Sequence, residues 1–346
     1  MSIDINLYDY DLPEGMVALY PAEPRDSSKL MHLPLSGGKI EHTVFNRFPE
    51  FLLKDDLLVL NDSRVFPARI YGRKKETGGK VEIFLLEKLE NNIWEALVRP
   101  GRRLQPGTEI EFFNNKLTAL LGERTDSGGR KVHFQSNGDF MSIIWKYGEV
   151  PLPPYINRVA KESDKTRYQT IYAKNVGAVA APTAGFHFTD DIFKRLNDVG
   201  AEISRLTLHP GLGTFRPITK TDAEKHQMHR EKYSIPSETA DTINRAMAER
   251  RRVIAVGTTT ARALESSFND FGEIKPCEME STGLFIKPPY DFKVIDGLLT
   301  NFHLPKSTLL LLVSALAGRE RILGAYKEAI ERRYRFYSYG DAMLIL

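Results

Sequence analysis

At 346 residues the chain exceeds one comfortable hydrophobic core, so two domains are the default organisation. Its 42% hydrophobic and 27% charged residues exclude disordered and fibrous classes, and a net charge of +3 excludes a uniformly basic, polyanion-coating surface. The single cysteine, Cys277, excludes an intrachain disulfide and every multi-cysteine zinc or iron–sulfur site, which suits a reducing cytoplasm.

The amino terminus, Met1-Ser-Ile-Asp-Ile5, lacks the basic start and apolar core of a signal peptide. The longest apolar stretch, Leu309 to Ala317, is too short to span a bilayer. A soluble, cytoplasmic protein with no membrane partner is expected. The chain changes character near Val65 and again near Pro151. Between them Arg69–Arg73, Lys80–Glu87, Trp94–Arg99, Glu109–Phe113 and Arg130–Gln135 read as strands. Turn signals separate them at Thr77-Gly-Gly, Asn91-Asn92, Asn114-Asn115 and Ser127-Gly-Gly. Short strands at this spacing indicate a small β-barrel, ended by the stiff Pro151-Leu-Pro-Pro154.

After Pro154 strands and helices alternate. Thr189 can cap a helix over 190–199 that Gly200 stops, followed by a strand over 201–209. Ser237 can cap a helix over 238–251, followed by the strand Val253–Gly257. Thr258 to Thr260 open a helix over 261–267. Ser307 can cap an apolar helix over 308–317, Gly318 interrupts it, and a further helix covers 319–332. The expected fold class is therefore α/β: a large mixed α/β domain with an inserted small β-barrel domain. The boundaries are 1–64 and 152–346 for the discontinuous catalytic domain, and 65–151 for the barrel.

Three loops concentrate glycine, hydroxyl and imidazole groups: Ala181–Phe188, with Thr183, Gly185 and His187; His209–Phe215, with Gly211, Gly213 and Thr214; and Thr300–Pro305, with Asn301 and His303. Each follows a short apolar run that reads as a buried strand. Open α/β sheets bind ligands at the carboxyl ends of their strands, so the three loops point to one enzymatic cleft. Gly257-Thr258-Thr259-Thr260 runs from a strand into a helix start, with Arg262 and Glu265 one turn on. Free N–H groups and the helix dipole there favour a carboxylate or phosphate. Neither a Gly-x-Gly-x-x-Gly fingerprint nor a Gly-Lys-Ser/Thr phosphate loop is present.

The histidines fit acid–base chemistry better than metal ligation. No His-Glu-x-x-His spacing occurs, and carboxylates near the loops are few. Basic residues cluster at Arg64, Arg69, Arg73, Lys74 and Lys75, at Arg250–Arg252 and at Arg332–Arg335, which fits local contact with a polyanion. A metal-dependent hydrolase and a non-enzymatic RNA-binding protein remain alternative readings of these residues.

Longer motifs narrow the choice. Tyr8-Asp-Tyr-Asp-Leu-Pro13, Pro24-Arg-Asp-Ser-Ser-Lys-Leu30, Asn61-Asp-Ser-Arg-Val-Phe-Pro-Ala-Arg69, Ala178 to Phe188, His226-Gln-Met-His-Arg-Glu231, Thr300 to Pro305 and Tyr337-Ser-Tyr-Gly-Asp-Ala-Met343 occur in that order. Together they closely resemble the bacterial S-adenosylmethionine:tRNA ribosyltransferase-isomerases of queuosine synthesis, over essentially the whole chain. Phe186 stands where leucine is expected, and Pro210 is a second departure; both alter packing more than chemistry.

The resemblance implies a ribosyl transfer with isomerisation. S-adenosylmethionine is the co-substrate, with no prosthetic group. The acceptor is 7-aminomethyl-7-deazaguanine at the tRNA wobble position, the product base is epoxyqueuosine, and adenine and methionine leave. A base must take a proton beside the sulfonium, the amine must be neutral, and adenine must be protonated on leaving. His187, His209 and His303, with Glu231 and Asp341, are the expected acid–base groups. The Arg64–Lys75 cluster is expected to hold the anticodon arm of the tRNA carrying the deazaguanine precursor. A monomer is expected.

Overall fold

The computed structural model describes residues 3–101, 104–125, 128–211, 218, 221–226 and 228–346. Gly213 and Thr214 lie outside them. The strands are β1 (Lys29–Leu33), β2 (Glu41–Val44), β3 (Leu57–Asn61), β4 (Ser63–Val65), β5 (Arg69–Lys74), β6 (Lys80–Glu90), β7 (Ile93–Arg99), β8 (Glu109–Phe112) and β9 (Leu117–Arg124). They continue with β10 (Arg130–Ser136), β11 (Asn175–Ala178), β12 (Glu202–Leu208), β13 (Glu231–Ile235), β14 (Val253–Val256), β15 (Cys277–Thr282), β16 (Gly297–Asn301) and β17 (Ala342–Ile345). The helices are α1 (Phe140–Tyr147), α2 (Asp164–Arg167), α3 (Asp190–Val199), α4 (Ser237–Ala248), α5 (Thr258–Ser267), α6 (Thr308–Ala317) and α7 (Arg319–Glu331).

Among the described residues the large sheet has nine strands in the order β15-β13-β12-β3-β14-β16-β17-β1-β2. Its centre, β12-β3-β14-β16, is parallel, and antiparallel pairs flank it. Within it β3, β14 and β16 are buried along their whole length, as strands covered on both faces are, whereas β12 is polar in its first half. Along β3, Leu57 and Val59 pack with Ile243, Leu264 and Leu310 on one side. Leu58 and Leu60 pack with Phe45, Phe188 and Ile192 on the other. That split is the two-residue period of a strand between two helical layers.

Strands β5 to β10 close into an antiparallel barrel in the order β10-β7-β6-β5-β8-β9. Its core includes Val81, Ile83, Phe112 and Val132, and α1 docks Ile143 and Ile144 against it. The expected turns carry left-handed residues at Gly78, Asn92, Asn114, Asn115 and Gly128. At Gly72 a Cβ would lie 2.6 Å from the Phe112 ring, so glycine there is a packing requirement. The α/β class with a barrel is as expected.

Several details differ from expectation. Strand β9 is not among the expected strands, because Leu117-Thr-Ala-Leu-Leu-Gly-Glu-Arg124 mixes helix-prone residues with a strand-like alternation of burial. Ser237 is the first residue of α4, follows Pro236, and makes no capping bond; α4 ends at Ala248. Thr258 to Thr260 lie inside α5. Elsewhere the caps are as expected: Thr189 accepts from Ile192 N–H, Gly200 is left-handed, and Ser307 accepts from Leu310 N–H.

Candidate active site

The parallel strands β3, β12, β14 and β16 run side by side, so their carboxyl ends gather Asn61, His209, Gly257 and Asn301 at one edge. The first loop comes by another route. It follows β11, which pairs with β4 in a separate two-stranded sheet, and reaches the same edge beside β16. Thr183 Oγ1 donates to Asn301 Oδ1 at 3.4 Å. A cleft of about 60 Å³ there is lined by Thr183, Thr258, Thr259, Asn301, His303 and Tyr337, among others. Tyr337 and Lys306, flanking it, both have left-handed backbones, a conformation costly for residues other than glycine.

His187 is buried and stacks on Phe45 at 5.0 Å. Its Nδ1 lies 2.7 Å from Ser28 Oγ, and its Nε2 lies 3.4 Å from Asn301 Nδ2. Burial, reinforced by Arg335 and Arg25, holds its pKa down to about 3. A neutral imidazole that donates from Nδ1 to Ser28 and accepts at Nε2 satisfies both neighbours. His303 is also buried. Its Nε2 lies 2.9 Å from Thr300 Oγ1, its N–H donates to Tyr326 Oη at 2.9 Å, and its carbonyl accepts from Tyr10 Oη. Burial pushes its pKa down to about 3.

His209 stands over Gly177, where a Cβ would come within 2.8 Å of the imidazole, so only glycine admits the ring. Burial lowers the His209 pKa; Asp62 opposes this and Lys232 adds to it. Its Nδ1 is buried and has no hydrogen-bond partner among the described residues. Asp62 itself is held by Thr207 Oγ1 at 2.6 Å and Asn175 Nδ2 at 3.1 Å. Asn61 accepts from Leu208 N–H at 3.0 Å and donates to Leu208 O at 2.9 Å, locking the end of β12.

Other expected site residues are already committed within the protein. Arg262 forms a buried ion pair with Glu231 and donates from Nε to Leu284 O at 3.0 Å. Its charge is thus offset by Glu231, while its Nη2 is buried without a hydrogen-bond partner among the described residues. Glu231 also accepts from Gly211 N–H at 3.0 Å. Glu265 accepts from the N–H groups of Lys293, Val294 and Ile295 at 3.0, 3.0 and 3.2 Å, clamping that loop. Asp341 accepts from the N–H groups of Lys29 and Arg335 and from the Arg335 guanidinium. Gly185 packs so closely on Tyr172 that a Cβ would sit 2.1 Å from its hydroxyl, which makes it a packing glycine. Gly257 has φ +97° and lets the chain turn into α5, whose first turn has no side-chain cap.

The basic cluster lies along β4 and β5 and the turn after β5. Arg64 stacks on Trp145 at 4.8 Å, Arg69 approaches Glu82 at 3.5 Å, and Arg73 donates to Gly78 O at 3.1 Å. Lys75 pairs with Glu109 at 2.6 Å, and Lys74 is half-buried. Acids from neighbouring strands therefore offset charge that looked unopposed along the chain. Arg251 and Arg252 are likewise offset by the distant acids Glu202 and Asp56, and Arg332 by Glu328 one helical turn earlier.

Sequence reasoning missed Ser28, Thr300, Asn61 and Asp62 as individual site residues. Ser28 and Asn61-Asp62 did fall within the longer motifs, but nothing in spacing alone tied them to a histidine. Among the described residues no cluster of three metal-ligating side chains occurs, and no helix is long and apolar enough to cross a membrane.

A family model described as queuosine biosynthesis protein matches residues 5–345. An S-adenosylmethionine:tRNA ribosyltransferase-isomerase of Halothermothrix orenii is 50% identical over 98% of both chains. One of the same description from Natranaerobius thermophilus is 49% identical, again over 98% of both. The crystal structure of an S-adenosylmethionine tRNA ribosyltransferase from Thermotoga maritima is similar at 38% identity. It covers 98% of this chain and all of that one, with a TM-score of 0.55.

Proposed function

The chain belongs to the queuosine biosynthesis protein family, and from that premise we infer that it is an S-adenosylmethionine:tRNA ribosyltransferase-isomerase. It transfers the ribosyl part of S-adenosylmethionine, with isomerisation, onto 7-aminomethyl-7-deazaguanine at the wobble position of tRNA. Epoxyqueuosine forms, and adenine and methionine leave. The observation that carries this reading is relatedness at about half identity over 98% of the chain.

The geometry fits the chemistry in three places. The reaction needs neutral proton acceptors, and burial keeps all three loop histidines neutral at physiological pH. His303 lines the strand-end cleft and is held by Thr300, which suits a group that exchanges a proton with the sugar. His209 has an unengaged Nδ1 and suits the acceptor that keeps the aminomethyl nitrogen neutral. His187 orients Asn301, and Asp341 orients Arg335. Thr183, Thr258, Thr259 and Asn301 contact the donor, and the barrel face bearing Arg73 and Lys74 meets the RNA. Residues 1–64 and 152–346 act as the catalytic domain and 65–151 as the inserted barrel.

The enzyme works as a cytoplasmic monomer with no prosthetic group; sedimentation and cell fractionation test the first two points. The activity is tested by incubating the protein with S-adenosylmethionine and tRNA carrying the deazaguanine precursor. Adenine release that requires both substrates is expected. Its absence overturns the assignment.

A further inference from the structure

Between the barrel and the large sheet lies a cavity of about 840 Å³, within the range of small-ligand sites. One wall is barrel and α1: Trp94, Leu97 and Phe140. The other belongs to the large domain: His209, Glu231 and Met279. Pro210 lines both this cavity and the strand-end cleft, so the two are neighbours next to His209.

The lining decides the class of occupant. Among the described residues Glu87, Glu95, Asp139 and Glu231 stand against Lys88, Arg230 and Lys232, a balance that does not favour phosphate. A flat aromatic wall with a mixed polar rim fits an uncharged heteroaromatic ring bearing a basic arm. One buried nitrogen in the lining, His209 Nδ1, has no hydrogen-bond partner among the described residues. A buried polar atom without a partner is costly and is commonly explained by a ligand.

Enzymes that do chemistry on a base within RNA take it out of its stack into a pocket. Resting on the ribosyltransferase reading, we propose that the interdomain cavity receives the unstacked wobble nucleobase. Trp94 is its stacking face, and the aminomethyl arm points past His209 to the Pro210 junction. The phosphates stay outside, on the basic face of the barrel. The insertion thus supplies half of the base pocket as well as an RNA surface.

The chain has two tryptophans, Trp94 and Trp145. In a Trp145→Phe variant, which keeps a ring under Arg64, emission reports Trp94 alone. Saturation with an anticodon stem-loop carrying 7-aminomethyl-7-deazaguanine is expected to quench that emission. The same RNA with an abasic wobble position is expected to leave it unchanged. Trp94→Leu should weaken binding of the modified stem-loop about 5- to 150-fold, the worth of one base–aromatic stack, and Trp94→Phe should restore most of it. Unchanged Trp94 emission at saturation overturns the pocket even where Trp94→Leu does not fold. Adenine release by the wild-type protein, measured alongside, separates the two failures: release with a silent Trp94 sinks the pocket alone, and no release sinks the ribosyltransferase reading.

Discussion

The amide nitrogen of Asn301 lies 3.4 Å from Nε2 of His187, so this buried imidazole is linked to the cleft lining by that amide. Asn301 Nδ2 also donates to the Tyr337 carbonyl at 3.2 Å, which leaves Oδ1 toward Thr183. The order Ser28, His187, Asn301 therefore fixes one orientation of a cleft-lining acceptor. His187→Ala and Asn301→Ala should each lower kcat by about 10–100-fold while leaving tRNA affinity intact. Their double mutant should lose little more than the worse single one, because both remove the same arrangement. Fully additive losses would separate the two residues.

The neutral histidines carry a pH signature. The folded pKa values of His187 and His303 are about 3, below the ordinary 6.5, so the unfolded chain binds more protons between those values. Their contribution is thus intact above about pH 6.5 and is lost as pH falls toward 3, at roughly 1.4 kcal/mol per pH unit for each histidine. His187→Gln should flatten the fall in urea-unfolding stability between pH 6 and 4. An unchanged slope would show that His187 does not drive it.

Arg262 and Glu231 are both buried and make an ion pair. Breaking such a pair strands a charge and typically costs about 3–5 kcal/mol. Arg262→Ala should therefore lower stability by that order, with donor affinity of the folded fraction little changed. Glu231→Gln should cost a comparable amount, because its one amide oxygen cannot accept from both Gly211 N–H and Arg262 and leaves the buried guanidinium without a counter-charge. Calorimetry showing a selective loss of S-adenosylmethionine binding in a stable Arg262→Ala protein would return the arginine to the donor site.

Turnover should survive exhaustive chelation. The proposed proton transfers use neutral imidazoles, and the carboxylates nearest them are engaged: Asp62 with Thr207 and Asn175, Glu231 with Arg262. Loss of adenine release on chelation, restored by one divalent ion, would contradict this.

Much of this was legible in residue order. Thr189, Gly200 and Ser307 mark helix ends through local chemistry, and the turn residues of the barrel mark most of its strands. The described parts of the three histidine loops lie at one edge of the sheet. What could not be read is partnership across the chain. Nothing near Arg262 names Glu231 as its partner, 31 positions away, and nothing near Arg69 or Lys75 names Glu82 or Glu109. Burial and ion pairing between distant segments engage groups that stand unopposed in the sequence. Strand β9 was hidden for a related reason: its composition is helical, and only barrel closure makes it a strand.

Chemistry and RNA binding should separate by mutation. His303 lines the strand-end cleft, whereas Arg73, Lys74 and Lys75 lie on β5 and the turn after it. A positioned acid–base group contributes about 10²–10⁴-fold, so His303→Ala should cut turnover by that order with tRNA affinity nearly unchanged. Replacing Arg73, Lys74 and Lys75 together with Ala should do the reverse. Each phosphate left without its cation flattens the logarithmic salt dependence of binding by about 0.7–0.9. The triple variant should nevertheless fall short of the effect of three free cations, because Lys75 already pairs with Glu109 at 2.6 Å. A salt slope equal to wild type would move the RNA to another face. Equal losses of tRNA affinity in both variants would place His303 on the RNA surface instead of in the chemistry.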